Sequence, residues 1–259
     1  MDEGWTRWLL EQYEFQIDTL HDADIRRDSL LHHYHAIILP SQSKARLLNG
    51  HAPNTMPEPY TGGIGLEGTY ALKRFVEQGG TLIALDAASD FAIDQFGLPV
   101  RNAVASVPPQ RFFIPGSLIS AKVDTRHPYA LGMQANVGVP FQRSRAFEVI
   151  QRQRKGEGGA ENTPPAPLPA VQTIVRYNTD DLLMSGWALG EETYIAGKAA
   201  MMNVSLGEGN VVLFGFRPQF RGQPSGTYKL LFNAIHAATL NEALWTESDQ
   251  DALPSLDNR

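Results

Sequence analysis

The sequence predicts an α/β domain: a mostly parallel, flavodoxin-like sheet with helices on both faces and an antiparallel edge hairpin. Three observations predict it. Ala36-Ile37-Ile38-Leu39-Pro40 and Thr81-Leu82-Ile83-Ala84-Leu85 are unbroken apolar runs, the mark of strands buried on both faces. A helical periodicity lies between them, with Leu66, Tyr70, Leu72, Phe75 and Val76 on or near one face. Ala199 to Leu206 and Asn210 to Phe216 flank Gly207-Glu208-Gly209, as a hairpin requires.

The elements follow in chain order. Residues 4–13 place Trp5, Trp8, Leu9 and Tyr13 at helical spacing. Phe15 to Leu20 alternates and reads as a strand, and Asp24 to Tyr34 as a short polar helix. A loop over 41–65 holds three prolines and four glycines. The helix from Leu66 to Gln78 stops at Gly79-Gly80, since glycine favours a helix C-terminus. After the strand at 81–85, Ser89 reads as the N-cap of a helix ending at Phe96. Short alternating strands are expected at 117–124, 147–152, 170–177 and 182–186. The last helix, Thr227 to Leu244, sets Leu230, Leu231, Ile235 and Leu240 on its apolar side. One domain is expected over 1–245. Residues 152–170, rich in glycine and proline, read as a mobile loop, and the polar tail 246–259 as disordered.

Composition excludes several functions. The 259 residues carry 28 acidic and 22 basic side chains, a formal net charge of -6, which argues against a nucleic-acid-binding face. Cysteine is absent, so disulfides, thiolate metal sites and a cysteine nucleophile are excluded together. No apolar run is long enough to span a membrane as a helix. Met1-Asp2-Glu3-Gly4 does not begin a signal peptide, and the compartment stays open.

Several motifs resemble sites. Gly63, Gly65 and Gly68 have dinucleotide-fingerprint spacing, but a proline-rich loop stands where the fingerprint needs a strand; a loop leading into a helix is expected, and no cofactor. His32-His33-Tyr34-His35 would point its imidazoles apart, so no metal is expected. His21-Asp22-Ala23-Asp24 offers a general base beside carboxylates, or equally an Asp22 or Asp24 cap on the next helix. Asp124-Thr125-Arg126-His127-Pro128 reads as a turn. Ser89 lacks the glycines of a nucleophile elbow. Phe214 to Gln223 sends Arg217, Gln219 and Arg221 out of a buried strand at its carboxyl end, where open α/β sheets bind ligands. Two readings stand: the arginines clamp local carbonyls and carboxylates, or they hold an anionic ligand with Asp86 and Tyr60 nearby.

Taken with the strand–helix–strand start, the Gly79–Asp86 segment (Gly-Gly-Thr-Leu-Ile-Ala-Leu-Asp) and the Gly215–Gln223 string (Gly-Phe-Arg-Pro-Gln-Phe-Arg-Gly-Gln) resemble a class I glutamine-amidotransferase-like domain. The strings at 1–8, 21–25, 60–65 and 89–93 are similar to the domain that follows the catalytic domain in some bacterial zinc carboxypeptidases of the carboxypeptidase A type. In a working amidotransferase the resemblance implies a cysteine on the elbow, here near Ala87 or Ala88. It also implies a Phe-His-Pro-Glu string, which here is Phe216-Arg217-Pro218-Gln219. All three catalytic members are replaced. Arg217 stays protonated and cannot act as a base, and Gln219 carries no charge to support one.

These readings predict a catalytically silent accessory domain of a zinc carboxypeptidase-like protein, serving docking, oligomerisation or substrate presentation. The expected partners are the N-terminal peptidase domain of a longer parent chain, with a homo-oligomer left open, and no nucleic acid or membrane. Such a parent can be an exported zinc metallocarboxypeptidase. One alternative is a module binding an anionic peptide or sugar through Arg217, Gln219, Arg221, Asp86 and Tyr60. The other is a cysteine-free hydrolase using His21, Asp86 or Ser89.

Overall fold

The computed structural model of the chain describes residues 1–26, 30–150 and 169–240. α1 (Asp2–Gln12) is followed by two short helices, α2 (Asp22–Ile25) and α3 (Leu30–His33). Then come β1 (Ala36–Leu39), α4 (Lys44–Asn49), α5 (Gly65–Glu77), β2 (Thr81–Leu85) and α6 (Ala87–Phe96). The later strands are β3 (Val100–Asn102), β4 (Ser117–Val123), β5 (Asn136–Phe141), β6 (Phe147–Val149), β7 (Val171–Tyr177) and β8 (Leu183–Ser185). After the short α7 (Glu191–Tyr194) come β9 (Ala199–Leu206), β10 (Gly209–Phe214) and the closing helix α8 (Ser225–Ala238).

Among the described residues the ten strands share one sheet, in the order β1-β2-β10-β9-β7-β4-β5, with β8 beside β4 and β6 joining β3 to β9. β2 lies between β1 and β10 and runs parallel to both. Every other pairing is antiparallel. The expected mostly parallel sheet is therefore corrected to a mixed one with a three-stranded parallel section. The β9–β10 hairpin forms as expected, with Gly209 opposite Leu206, but it lies inside the sheet rather than at its edge. Its composition explains the placement. Ala199 to Val204 and Val211 to Phe214 are buried without alternation, so the hairpin needs cover on both faces and a neighbour on each side.

Helices supply that cover on both sides. Ile83, Leu85, Val212 and Phe214 point into one core with Leu9 of α1 and Leu230 and Leu231 of α8. Leu82, Ala84, Val211 and Leu213 point into the other, with Leu72 and Phe75 of α5 and Phe91 of α6. Adjacent residues on β2 and β10 thus enter opposite cores, as strand geometry demands.

Other expectations shift. Among the described residues Phe15 to Leu20 belongs to no strand, because residues 16–20 make no main-chain hydrogen bond with a neighbouring strand. The polar helix expected at 24–34 is the pair α2 and α3, with 27–29 outside the described residues. β3 is too short to show a period, and β5 carries Gly138 and Pro140, which suit its place at the sheet edge but hide it in sequence. α8 stops at Ala238, short of Leu244. The loop expected at 152–170 and the tail expected at 246–259 fall largely or wholly outside the described residues.

Tyr129 shows how this packing acts on a titrating group. It is 6% exposed in a turn packed on α8, and burial pushes its phenol up from 10.0 to about 12. The folded state therefore holds this proton more tightly than the unfolded chain. The contribution is complete below about pH 10 and is lost as pH rises towards about 12. Tyr129→Phe should flatten the fall in Tm across that window in calorimetric scans. A parent-like slope in the variant would refute the assignment.

Candidate functional site

β2 ends in a sharp turn into α6, and Asp86 is that turn. Its φ of 49° and ψ of -108° lie outside the ordinary left-handed well, a costly conformation for a residue with a Cβ. The turn is held from behind: Asp86 N–H donates to the Phe214 carbonyl of β10 at 2.8 Å. The elbow of the fold is therefore at Asp86, one residue before Ala87 and two before Ala88, near which it was expected.

The Asp86 side chain is fully buried and faces charged groups. Arg145 Nη1 donates to Oδ1 at 3.0 Å, and Arg217 Nη2 lies 3.2 Å from Oδ2. The Ser41 hydroxyl, just beyond β1, donates to Oδ2 at 2.9 Å. Burial pushes the Asp86 carboxyl above the usual carboxylate range, opposed by Arg145, then Arg217 and the Ser41 hydrogen bond. The guanidiniums have further anchors. Arg145 also donates to Asp90 Oδ2 at 3.0 Å, and its own backbone is pinned by Tyr177 Oη and by Gly215. Burial works against the charge on Arg145, but Asp86 and Asp90 outweigh it and leave its pKa raised. Arg217 Nε approaches Asp2 Oδ1 at 2.7 Å, close enough for an ion pair though not aligned as a hydrogen bond.

The five sequence-selected residues divide. Asp86 and Arg217 meet, as the ligand-binding reading expected. Gln219 turns away: its Nε2 donates to Thr6 Oγ1 of α1 at 2.7 Å, while its buried Oε1 has no partner. Arg221 stacks its guanidinium on the Phe220 ring, 5.3 Å from the centroid. Tyr60 packs edge-on against His21, ring centroids 5.2 Å apart, in the lining of a cleft beside β1 rather than against Arg217. Arg145, Ser41, Asp90, Asp2 and Thr6 were not legible as site residues. They come from segments far apart in the chain, with no shared spacing. α1 closes over the region, with Asp2 on Arg217, Thr6 on Gln219, and the Trp8 ring where a Cβ at Gly222 would stand.

The remaining motifs are structural. Gly63 and Gly50 have positive φ and approach so closely that a Cβ on Gly50 would lie 2.2 Å from Gly63 N. The glycine string therefore joins two backbones. Asp24 caps α2 by accepting from His21 N–H at 3.0 Å, and Asp124 pairs with Arg126 within its turn. Ser89 is not an N-cap. It lies inside α6, fully buried, with its hydroxyl 3.0 Å from the Ala84 carbonyl and 2.9 Å from that of Phe214. Ser89→Ala should cost about 1 kcal/mol in urea unfolding, the worth of one buried hydrogen bond. A cost near zero would show the hydroxyl to be dispensable. Among the described residues no group of histidines and carboxylates converges as a metal site.

No protein-family model and no curated protein matches the sequence. Solved structures do match. A cytoplasmic protein from Salmonella typhimurium aligns at TM-score 0.50 and 15% identity, over 90% of this chain and 85% of its own. A second cytoplasmic protein from Salmonella typhimurium LT2 aligns at 0.50 and 12%, over 92% and 87%. A GMP synthase subunit-like protein from Thermoplasma acidophilum aligns at 0.50 and 12%, over 93% and 89%. At such identities the likeness concerns the fold. The chain has a glutamine-amidotransferase-like α/β fold.

Proposed function

We propose that this chain is a catalytically silent amidotransferase-like domain that works by docking. One observation carries the reading: the elbow holds a buried carboxylate locked between two guanidiniums. Such a group is buried from substrate with its oxygens held by Arg145, Arg217 and Ser41, and neither arginine can act as a general base. The first alternative, an anionic ligand held by Arg217, gains no support. The elbow cluster sets Asp2, Asp86 and Asp90 against Arg145 and Arg217, so the carboxylates already outnumber the cations. Nor does the hydrolase alternative, since the Ser89 hydroxyl is committed to main-chain carbonyls.

The finer proposal is that the domain accompanies a zinc carboxypeptidase-like catalytic domain, and it rests on the sequence strings alone. Two measurements test these readings. Purified chain should hydrolyse neither glutamine nor peptide or ester substrates; turnover abolished by Arg217→Ala would overturn the silent-domain reading. The coding DNA upstream should continue in frame into a domain with a His-x-x-Glu motif and a distant histidine. A stop codon immediately upstream would overturn the finer proposal.

A further inference from the structure

A cleft of about 510 Å³ opens beside β1 and reaches Thr6 of α1, the residue that Gln219 bonds. Residues 15–20 form one wall and residues 36–40 the other, with Leu10, Ile25, Leu47, Ile64 and Ile235 contributing apolar surface. The volume is that of an ordinary ligand site, about 300–1,000 Å³.

Among the described residues both walls have main-chain groups without a main-chain partner, and β1 is the terminal strand, pairing with β2 alone. The His35 carbonyl accepts from Thr81 N–H at 2.9 Å, which sets the alternation. Ile37 and Leu39 direct their N–H and C=O towards β2, so those of Ala36 and Ile38 point outward. Across the gap, no main-chain hydrogen bond joins residues 16–20 to β1 among the described residues. The short strand and Pro40, which has no N–H to offer, confine pairing to a few residues.

The charges on the walls are uneven. Arg7 is paired with Glu3 at 3.3 Å, and Arg46 donates to the Gly50 carbonyl at 3.1 Å. Asp22 faces Arg26, His21 and His51. Asp18 is exposed beside the slot and accepts a hydrogen bond from the Tyr34 hydroxyl.

We propose that this cleft receives an extended peptide that adds as a strand to the edge of β1, its alternate apolar side chains in the cleft and a basic side chain beside Asp18. The inference deepens the docking reading by naming the partner's chemistry, and it rests on that reading. Strand addition of this kind draws affinity from main-chain hydrogen bonds and specificity from alternate side-chain pockets.

The test uses the full chain and a set of capped hexapeptides with Val, Ile or Leu at alternate positions and Lys at one end. Hydrogen exchange is read by NMR. Without peptide, the Ala36 and Ile38 amides should exchange freely. The tightest binder should slow both by about tenfold or more at saturation, as new strand hydrogen bonds do. N-methylation should abolish binding at alternate peptide residues and be tolerated between them. Asp18→Asn, or Lys→norleucine in the peptide, should weaken binding by about threefold, the scale of an exposed ion pair. Three outcomes would overturn the proposal: no peptide slows the two amides; N-methylation matters nowhere, as for a small apolar ligand; or the amides are already protected in a concentration-dependent dimer, as if a second copy held the edge. Peptide failure leaves the silent elbow intact, whereas substrate turnover would overturn the silent-domain reading without touching the exchange result.

Discussion

Asp86→Ala is expected to lower stability by about 3 kcal/mol, the cost of removing one member of a buried ion pair. The loss comes less from the carboxylate's own interactions than from what stays behind. Arg145 and Arg217 are each 18% exposed, so water reaches them only in part, and each would lose one of its carboxylates. Ser41 would lose its acceptor. Asp90 and Asp2 remain to hold the guanidiniums, which keeps the figure at the lower end of the range. Asp86→Asn is the informative companion. Asparagine tolerates positive φ and keeps the shape, but it is neutral. If charge matters most, Asn should be nearly as damaging as Ala; if shape matters most, it should be nearly harmless. Urea unfolding of both variants decides. Loss below about 1 kcal/mol for both would show that the cluster holds little of the fold together.

Gly209→Ala is expected to cost about 3 kcal/mol, the upper end of overpacking. The reason is not the hairpin turn. A Cβ at this position would lie 2.2 Å from the carbonyl oxygens of Gly80 and of Val76, both main chain. Backbone cannot swing aside as a side chain would, so the α5–β2 connection or the start of β10 must move. The control is Gly97→Ala, with φ of 68° and nothing within 4 Å of the added Cβ. It should lose only about 1–2 kcal/mol, the cost of a left-handed conformation for a residue with a Cβ. Equal losses in the two variants would refute the steric account.

The parallel core was readable because its strands are continuous apolar runs with a helical period between them. Its extension was not. β5 conceals its period behind Gly138 and Pro140, so nothing in sequence marks it as the far edge of the sheet. The candidate site was half readable. Arg217 and Asp86 were grouped as candidate ligand contacts at the carboxyl ends of buried strands, and they do meet. Arg145 carries no such mark: it is 59 residues from Asp86 and reaches it only because Gly215 and Tyr177 pin its backbone. Tyr60 was grouped with them and lies elsewhere, since a loop residue's neighbours are set by how the loop folds back.

By itself, the sequence determined the α/β class, the buried strands and the absence of a thiol, because composition and periodicity report burial and chemistry directly. It also determined that the histidine and glutamate of the amidotransferase string are replaced. Only the tertiary structure decided that the elbow is Asp86, that two arginines pair with it, that α1 closes over it, and that β1 pairs with β2 alone among the described residues. Those are contacts between residues with no common spacing, and a one-dimensional period cannot encode them.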